Sequence, residues 1–66
     1  MEPLKSWHAS REALQTFLSD RGAREHARKN SRVVYVLRDG GAVLVEPEVG
    51  GYRIKLYASA GDCNCG

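Results

Sequence analysis

Two cysteines near the end of this 66-residue chain are the residues best suited to bind a metal ion. Cys63 and Cys65 are separated by one residue, so in an extended chain both thiols point to the same side and can bind one soft ion. A structural zinc site, however, uses four ligands, and nothing in the sequence brings His8 or His26 to this pair. We therefore predict no cofactor and treat residues 61–66 as a flexible tail, in which the two cysteines are the candidates for a metal site.

Glu25 and His26 are the pair that would carry acid–base chemistry. In a small ribonuclease, His or Glu transfers a proton and a neighbouring Arg stabilises the phosphorane, and arginines surround this pair. A single His on a polar segment is more often a surface residue. The sequence also has no glycine-rich phosphate loop, nucleophile elbow or zincin motif. We therefore predict that the protein is not an enzyme.

The stretch from residue 21 to residue 32 is the most basic part of the chain. Its five basic residues against one acidic residue give a local net charge of +4. At helical spacing Arg21, Arg24 and Arg28 lie along one side of a helix, as contacts to successive phosphates require. No signature of base recognition accompanies the charge, so a solvated basic face is the simpler interpretation, and nucleic-acid binding is the alternative function. The residues concerned are Arg21, Arg24, Arg28, Lys29 and Arg32.

The first half of the chain has the pattern of a helix. Leu14, Phe17 and Leu18 recur at helical spacing and predict one apolar face. Ser10 is the predicted N-cap, and Gly22 is the predicted left-handed residue that ends the helix. Residues 23–30 contain good helix formers but few apolar residues, so we expect a second short helix or an extension of the first.

The second half predicts a three-stranded antiparallel meander. Three segments rich in branched and aromatic residues are separated by glycine-containing turns. Two-residue loops at residues 39–40 and 50–51 would connect them, and in that register Leu44 lies opposite Tyr35 and Tyr57. The same register places Glu46 opposite Lys55 and Glu48 opposite Arg53. The predicted fold is therefore α+β, with one or two N-terminal helices packed on this sheet.

Alternation along these strands leaves one face of the predicted sheet without a cover. Tyr35, Leu44 and Tyr57 form the centre of this face, and the helix is expected to cover the other, more apolar face. Exposed aromatic residues with a charged rim are typical of protein interfaces, although loops and the tail could shield them, or unpaired bases could stack on them. The predicted rim residues are Glu46, Arg53 and Lys55.

Composition and length set the class of the whole chain. Hydrophobic residues make up 42% and charged residues 27%, as in a globular domain, which we place at residues 1–60. No apolar run is long enough to span a membrane and the first residues do not resemble a signal peptide, so a cytoplasmic location is predicted. The predicted function is a non-catalytic protein-binding module, either a homodimer or a small regulator or inhibitor of another protein.

Overall fold

The computed structural model describes residues 2–63, which form one five-stranded antiparallel sheet and two helices. The strand order is β1-β5-β4-β3-β2. The α+β class is confirmed, but the sheet has five strands rather than three, and the long helix follows the first strand rather than preceding the sheet. The elements are β1 Lys5–Ala9, α1 Arg11–Asp20, β2 Arg24–Lys29, β3 Arg32–Val36, β4 Ala42–Glu48, β5 Gly51–Tyr57 and α2 Ala60–Cys63.

Both ends of α1 are formed by the predicted residues. The Ser10 hydroxyl accepts a hydrogen bond from the Ala13 amide at 3.1 Å, which confirms Ser10 as the N-cap. At the other end, Gly22 has a φ of 61°, and the Ala23 amide donates to the Leu18 carbonyl at 2.9 Å. A left-handed glycine followed by this return bond is the Schellman ending of a helix, so the prediction for Gly22 is also confirmed.

The segment after Gly22 is a strand, so the predicted second helix is wrong. β2 pairs antiparallel with β3 through a tight turn at Asn30 and Ser31, and Asn30 has a φ of 58°. The helix formers in this segment carry too little apolar surface to stabilise a separate helix, whereas pairing with the branched residues of β3 satisfies the backbone hydrogen bonds.

The loop between β3 and β4 is one residue longer than predicted. The Leu37 amide donates to the Gly41 carbonyl at 2.7 Å, so the loop holds the three residues from Arg38 to Gly40. Gly40 has a φ of 96°, and the Asp39 carboxylate accepts a hydrogen bond from the Gly41 amide at 3.0 Å. A change of one residue in register turns every side chain of one strand to the other face, and this change moves Tyr35 away from Leu44.

The loop between β4 and β5 differs from the prediction by a register shift of two residues. The turn lies at Val49 and Gly50, and Gly51 is the first residue of β5. A Cβ at Gly51 would lie only 2.3 Å from the Ala9 carbonyl oxygen, so the approach of β1 requires a glycine at this strand position. A shift of two residues keeps each side chain on its predicted face.

The two faces of the sheet are covered by different elements. We call the side on which α1 packs the helix face and the other side the opposite face. Trp7 on the helix face meets Phe17 of α1 edge to face, with ring centroids 5.3 Å apart. α1 contacts β1 and β5, whereas α2 contacts β3, β4 and β5. The buried core of the helix-face cluster consists of Ala9, Leu14, Leu37, Val43, Val45 and Ile54.

A second, smaller cluster lies on the opposite face. It contains Val34, Leu44 and Tyr57, each less than a tenth exposed. α1 lies on the other side of the sheet, so we infer that α2 provides cover for this cluster. The predicted tail begins at residue 61, within α2, and residues 64–66 lie outside the described residues.

Neither helix in the described part of the chain is long and apolar enough to cross a lipid bilayer.

Candidate functional site

The predicted partner-binding face does not exist as one surface. Tyr35 lies on the helix face, opposite Val43 of β4, while Leu44 and Tyr57 lie on the opposite face. Leu44 is 4% exposed and Tyr57 is 7% exposed, so neither presents an anchor to a partner. The one-residue longer loop after β3 separates Tyr35 from the other two residues. Of the three predicted anchors, Tyr35 alone is accessible, and it is half-buried.

The predicted rim residues form a charged band on the opposite face. Arg53 donates to Glu48 at 3.0 Å and Lys55 lies 3.5 Å from Glu46, so both predicted ion pairs form, diagonally rather than directly across the strands. His8 Nδ1 lies 2.7 Å from the second carboxylate oxygen of Glu48. The hydrogen bond from Arg53 has the largest effect on the pKa of Glu48 and lowers it below its ordinary value, and the hydrogen bond from His8 lowers it further. The cations of this band are therefore largely committed to its own carboxylates.

The basic residues of the predicted nucleic-acid surface are divided between several sites. Because residues 24–29 form a strand, the expected alignment of Arg21, Arg24 and Arg28 along a helix is wrong. Pairing with β3 places Arg24 and Lys29 on the opposite face and Arg28 on the helix face. Arg21 lies 3.4 Å from Asp39, and Arg32 lies 3.8 Å from Glu46.

Glu25 and His26 do not form an acid–base pair. The Glu25 carboxylate accepts two hydrogen bonds from Arg28, at 2.9 and 3.3 Å, and these lower the pKa of Glu25. His26 is the extra residue of a β-bulge, between Glu25 opposite Tyr35 and Ala27 opposite Val34. All six residues of β2 are exposed, so this pair lies on an open edge of the sheet rather than in a cleft.

A groove lies on the helix face where α1 leaves the sheet uncovered. We call it the tyrosine groove; its volume is about 390 Å³. Leu14 and Leu18 of α1 form one wall, and Val33 and Val45 form the floor between that wall and the outer strands. The remaining lining residues are Arg11, Gln15, Arg28, Ser31, Tyr35, Pro47 and Tyr52.

The tyrosine groove combines half-buried aromatic rings with two cations. Tyr35 and Tyr52 pack against the core but keep part of their surface accessible. Arg28 is shared with Glu25, whereas Arg11 takes part in none of the ion pairs within the described residues. Arg11 is the first residue of α1, where a cation opposes the helix dipole, so local helix stability does not explain its presence.

Sequence reasoning missed the helix-borne part of this groove. Arg11, Gln15 and Leu18 are spaced at i, i+4 and i+7, so they share one side of α1, and this spacing was available as a signal. This spacing could not be connected with Tyr35, because the sequence pattern placed Tyr35 on the uncovered face of the sheet, away from α1. Tyr52 also lies on the helix face, in contact with the core cluster.

No three His, Cys, Asp or Glu residues in the described part of the chain lie close enough together to hold a metal ion. Of the two cysteines proposed as ligands, Cys63 ends α2 and Cys65 lies outside the described residues.

The fold and the groove define a small α+β domain with one sheet and a partly open helix face. Comparison of the chain with known protein families, with curated proteins and with solved structures finds no match.

Proposed function

We propose that the protein is a non-catalytic protein-binding module that binds a segment of another protein in the tyrosine groove. The observation that supports this proposal is the groove itself: an apolar floor, two accessible tyrosines and two arginines on the side of the sheet that α1 only half covers. Tyrosine and arginine are the residue types most enriched where binding energy concentrates in protein interfaces.

This proposal keeps the predicted class of function but moves the binding surface. Tyr35 remains an anchor, whereas the charged rim of Glu46, Arg53 and Lys55 belongs to the other side of the sheet. The groove is near the lower end of the volume range of small-molecule pockets, about 300–1,000 Å³, so it would hold only a short part of the protein that this small regulator or inhibitor binds.

The test uses two tryptophan substitutions on the same helix. Gln15→Trp fills the groove from an exposed position, whereas Thr16→Trp adds the same side chain one residue further along, where it does not line the groove. Peptides are first selected on the wild-type protein from a random display library. Their dissociation constants for all three proteins are then measured by fluorescence anisotropy, and circular dichroism checks that each variant is folded.

We expect Gln15→Trp to weaken binding roughly tenfold or more, which corresponds to about 1.4 kcal/mol, and Thr16→Trp to leave it nearly unchanged. Equal affinities for both variants, or a library that yields no binding peptide, would rule out the groove as a docking site.

A further inference from the structure

The charges of the tyrosine groove are all of one sign. Its lining, within the described residues, contains Arg11 and Arg28 and no aspartate or glutamate. Glu25 partly neutralises Arg28, at 2.9 Å, but it does not line the groove. The chain as a whole carries a net charge of +2, so its long-range field also favours an acidic partner.

The floor and walls of the groove favour an apolar side chain at its centre. Val33 and Val45 lie below, with Leu14 and Leu18 on one side and Tyr35 on the other. In the described chain no buried side-chain nitrogen or oxygen lacks a hydrogen-bond partner, so none here waits for a polar ligand. A polar group pressed against this apolar floor would lose hydrogen bonds to water that Val33, Val45 and the leucines cannot replace, whereas a large apolar side chain would gain contacts with these residues. The polar side chains of the lining, such as Gln15 and Ser31, belong to the rest of the groove.

We infer that the occupant of the groove is a segment of a partner protein in which a large apolar residue is flanked by aspartates or glutamates. This inference rests on the proposed function and specifies its partner. The apolar residue enters between Tyr35 and the leucines of α1. The flanking carboxylates bind Arg11 and the Nη1 group of Arg28, since Glu25 already occupies Nε and Nη2 of Arg28. A carboxylate bound to arginine forms a strong, charge-assisted hydrogen bond, so the two cations select the acidic segment.

Two other occupants fit these charges less well. A second copy of the chain, placed groove to groove, would bring the arginines of both molecules together, with Glu25 beside Arg28 but no carboxylate in the lining itself to compensate Arg11. A nucleic acid would find two cations lining the groove, because Arg24 and Lys29 point to the opposite face, whereas a protein with strongly salt-dependent duplex binding makes about six to ten phosphate contacts.

The probes are two synthetic twelve-residue peptides that share a central Phe-Leu pair and differ in four flanking residues, all Glu in one and all Lys in the other. Binding is measured by fluorescence anisotropy to the wild type and to two charge reversals. Arg11→Glu changes the groove and places an anion where the helix dipole favours it, so the helix is not weakened. Lys29→Glu makes the same change in charge on the opposite face.

We expect the Glu peptide to bind the wild type roughly tenfold more tightly than the Lys peptide, a difference of about 1.4 kcal/mol. Arg11→Glu should abolish or reverse this preference, and Lys29→Glu should retain most of it. If the two peptides bind the wild type equally and neither binds Gln15→Trp, the inference of an acidic partner is wrong. The groove would still be a docking site.

Failure of both peptides, while display-selected peptides still bind, would likewise overturn this inference alone. Failure of the peptides and of the display library together would overturn the proposed function as well. A twelve-nucleotide polythymidine strand is measured in parallel. If it binds more tightly than the Glu peptide and is lost in Arg11→Glu, the groove is a nucleic-acid site and the inference is wrong.

Discussion

Side chains from three strands meet at Glu48. It lies in β4 and binds Arg53 of β5 and His8 of β1, the last across Gly51, which has no side chain to block the way. The carboxylate therefore ties the edge strand β1 to the centre of the sheet. The role of this cluster is structural, and its effect should appear as a dependence of stability on pH.

Stability should fall in acid because three carboxyl groups have lowered pKa values in the folded state. Arginine neighbours and backbone or histidine donors lower the pKa of Glu25, Asp39 and Glu48. A group whose pKa is lower when folded stabilises the protein above its unfolded pKa and loses that contribution as the pH falls through the folded pKa. We expect the urea midpoint to decrease below about pH 4.5, the ordinary value for Glu48.

The variant that checks this assignment is Glu48→Gln. It should show a lower midpoint near neutral pH and a smaller decrease on acidification than the wild type. Glu2→Gln, at an exposed position near the N-terminus, removes the same charge and should retain the full decrease. An acid decrease of the same size in both variants would contradict the role of Glu48.

Among the elements, α1 is the one that local signals define completely. Ser10 and Gly22 act at its two ends through bonds within a few residues, and such bonds can be inferred from the sequence. β2 could not be inferred in this way, because its residues favour a helix and only pairing with β3 makes it a strand. The turn residue Asn30, with a φ of 58°, was the available sign of a hairpin.

The candidate site was harder to predict than the fold class, because it depends on register. Three-residue loops with a left-handed glycine are common in hairpins, and the sequence from Arg38 to Gly41 fits both loop lengths. A choice between them decides which face carries Tyr35. Contacts distant in sequence, such as that between Gly51 and Ala9, determine the other register and are not encoded locally.

The close approach of β1 to β5 predicts the effect of a methyl group at Gly51. Its Cβ would lie 2.3 Å from the Ala9 carbonyl oxygen, so Gly51→Ala should push β1 outward and lower the free energy of unfolding by about 1–3 kcal/mol. Gly61→Ala is the matched control. A Cβ at Gly61 would lie 3.8 Å from the Ser59 hydroxyl oxygen, which is an ordinary van der Waals contact. Urea denaturation followed by circular dichroism measures both, and equal midpoints would show that β1 does not approach as described.

The whole molecule has the dimensions of a compact single domain. Its Cα radius of gyration is 10.6 Å, close to the roughly 10.8 Å expected for 66 residues. A domain of this length buries only about 60% of its unfolded surface, so the small cluster under α2 is a substantial part of its core. Among the described residues the large hydrophobic side chains left exposed are Leu4 and Val49, so stability does not require a second copy.

The burial of both apolar clusters within one chain predicts a monomer in solution. Light scattering over a dilution series should give 7.3 kDa at low salt, because the arginines of two facing grooves repel each other. Repeating the series at high salt, where that repulsion is screened, should still give the monomer mass. A dimer that persists at both salt concentrations would favour the homodimer that the sequence analysis also predicted, and would contradict the reading of the groove as a site for a different protein.

The bulge at His26 has a consequence for how the protein behaves when it is concentrated. A straight outer strand would offer its free amides and carbonyls to the next molecule and allow sheets to grow end to end into fibres. In β2 the extra residue interrupts the ladder, and the exposed charges of Arg24, Lys29 and the Arg28–Glu25 pair lie on either side of the interruption. We therefore expect the segment whose charge first suggested nucleic-acid binding to hinder edge-to-edge pairing through β2, one of the two edge strands.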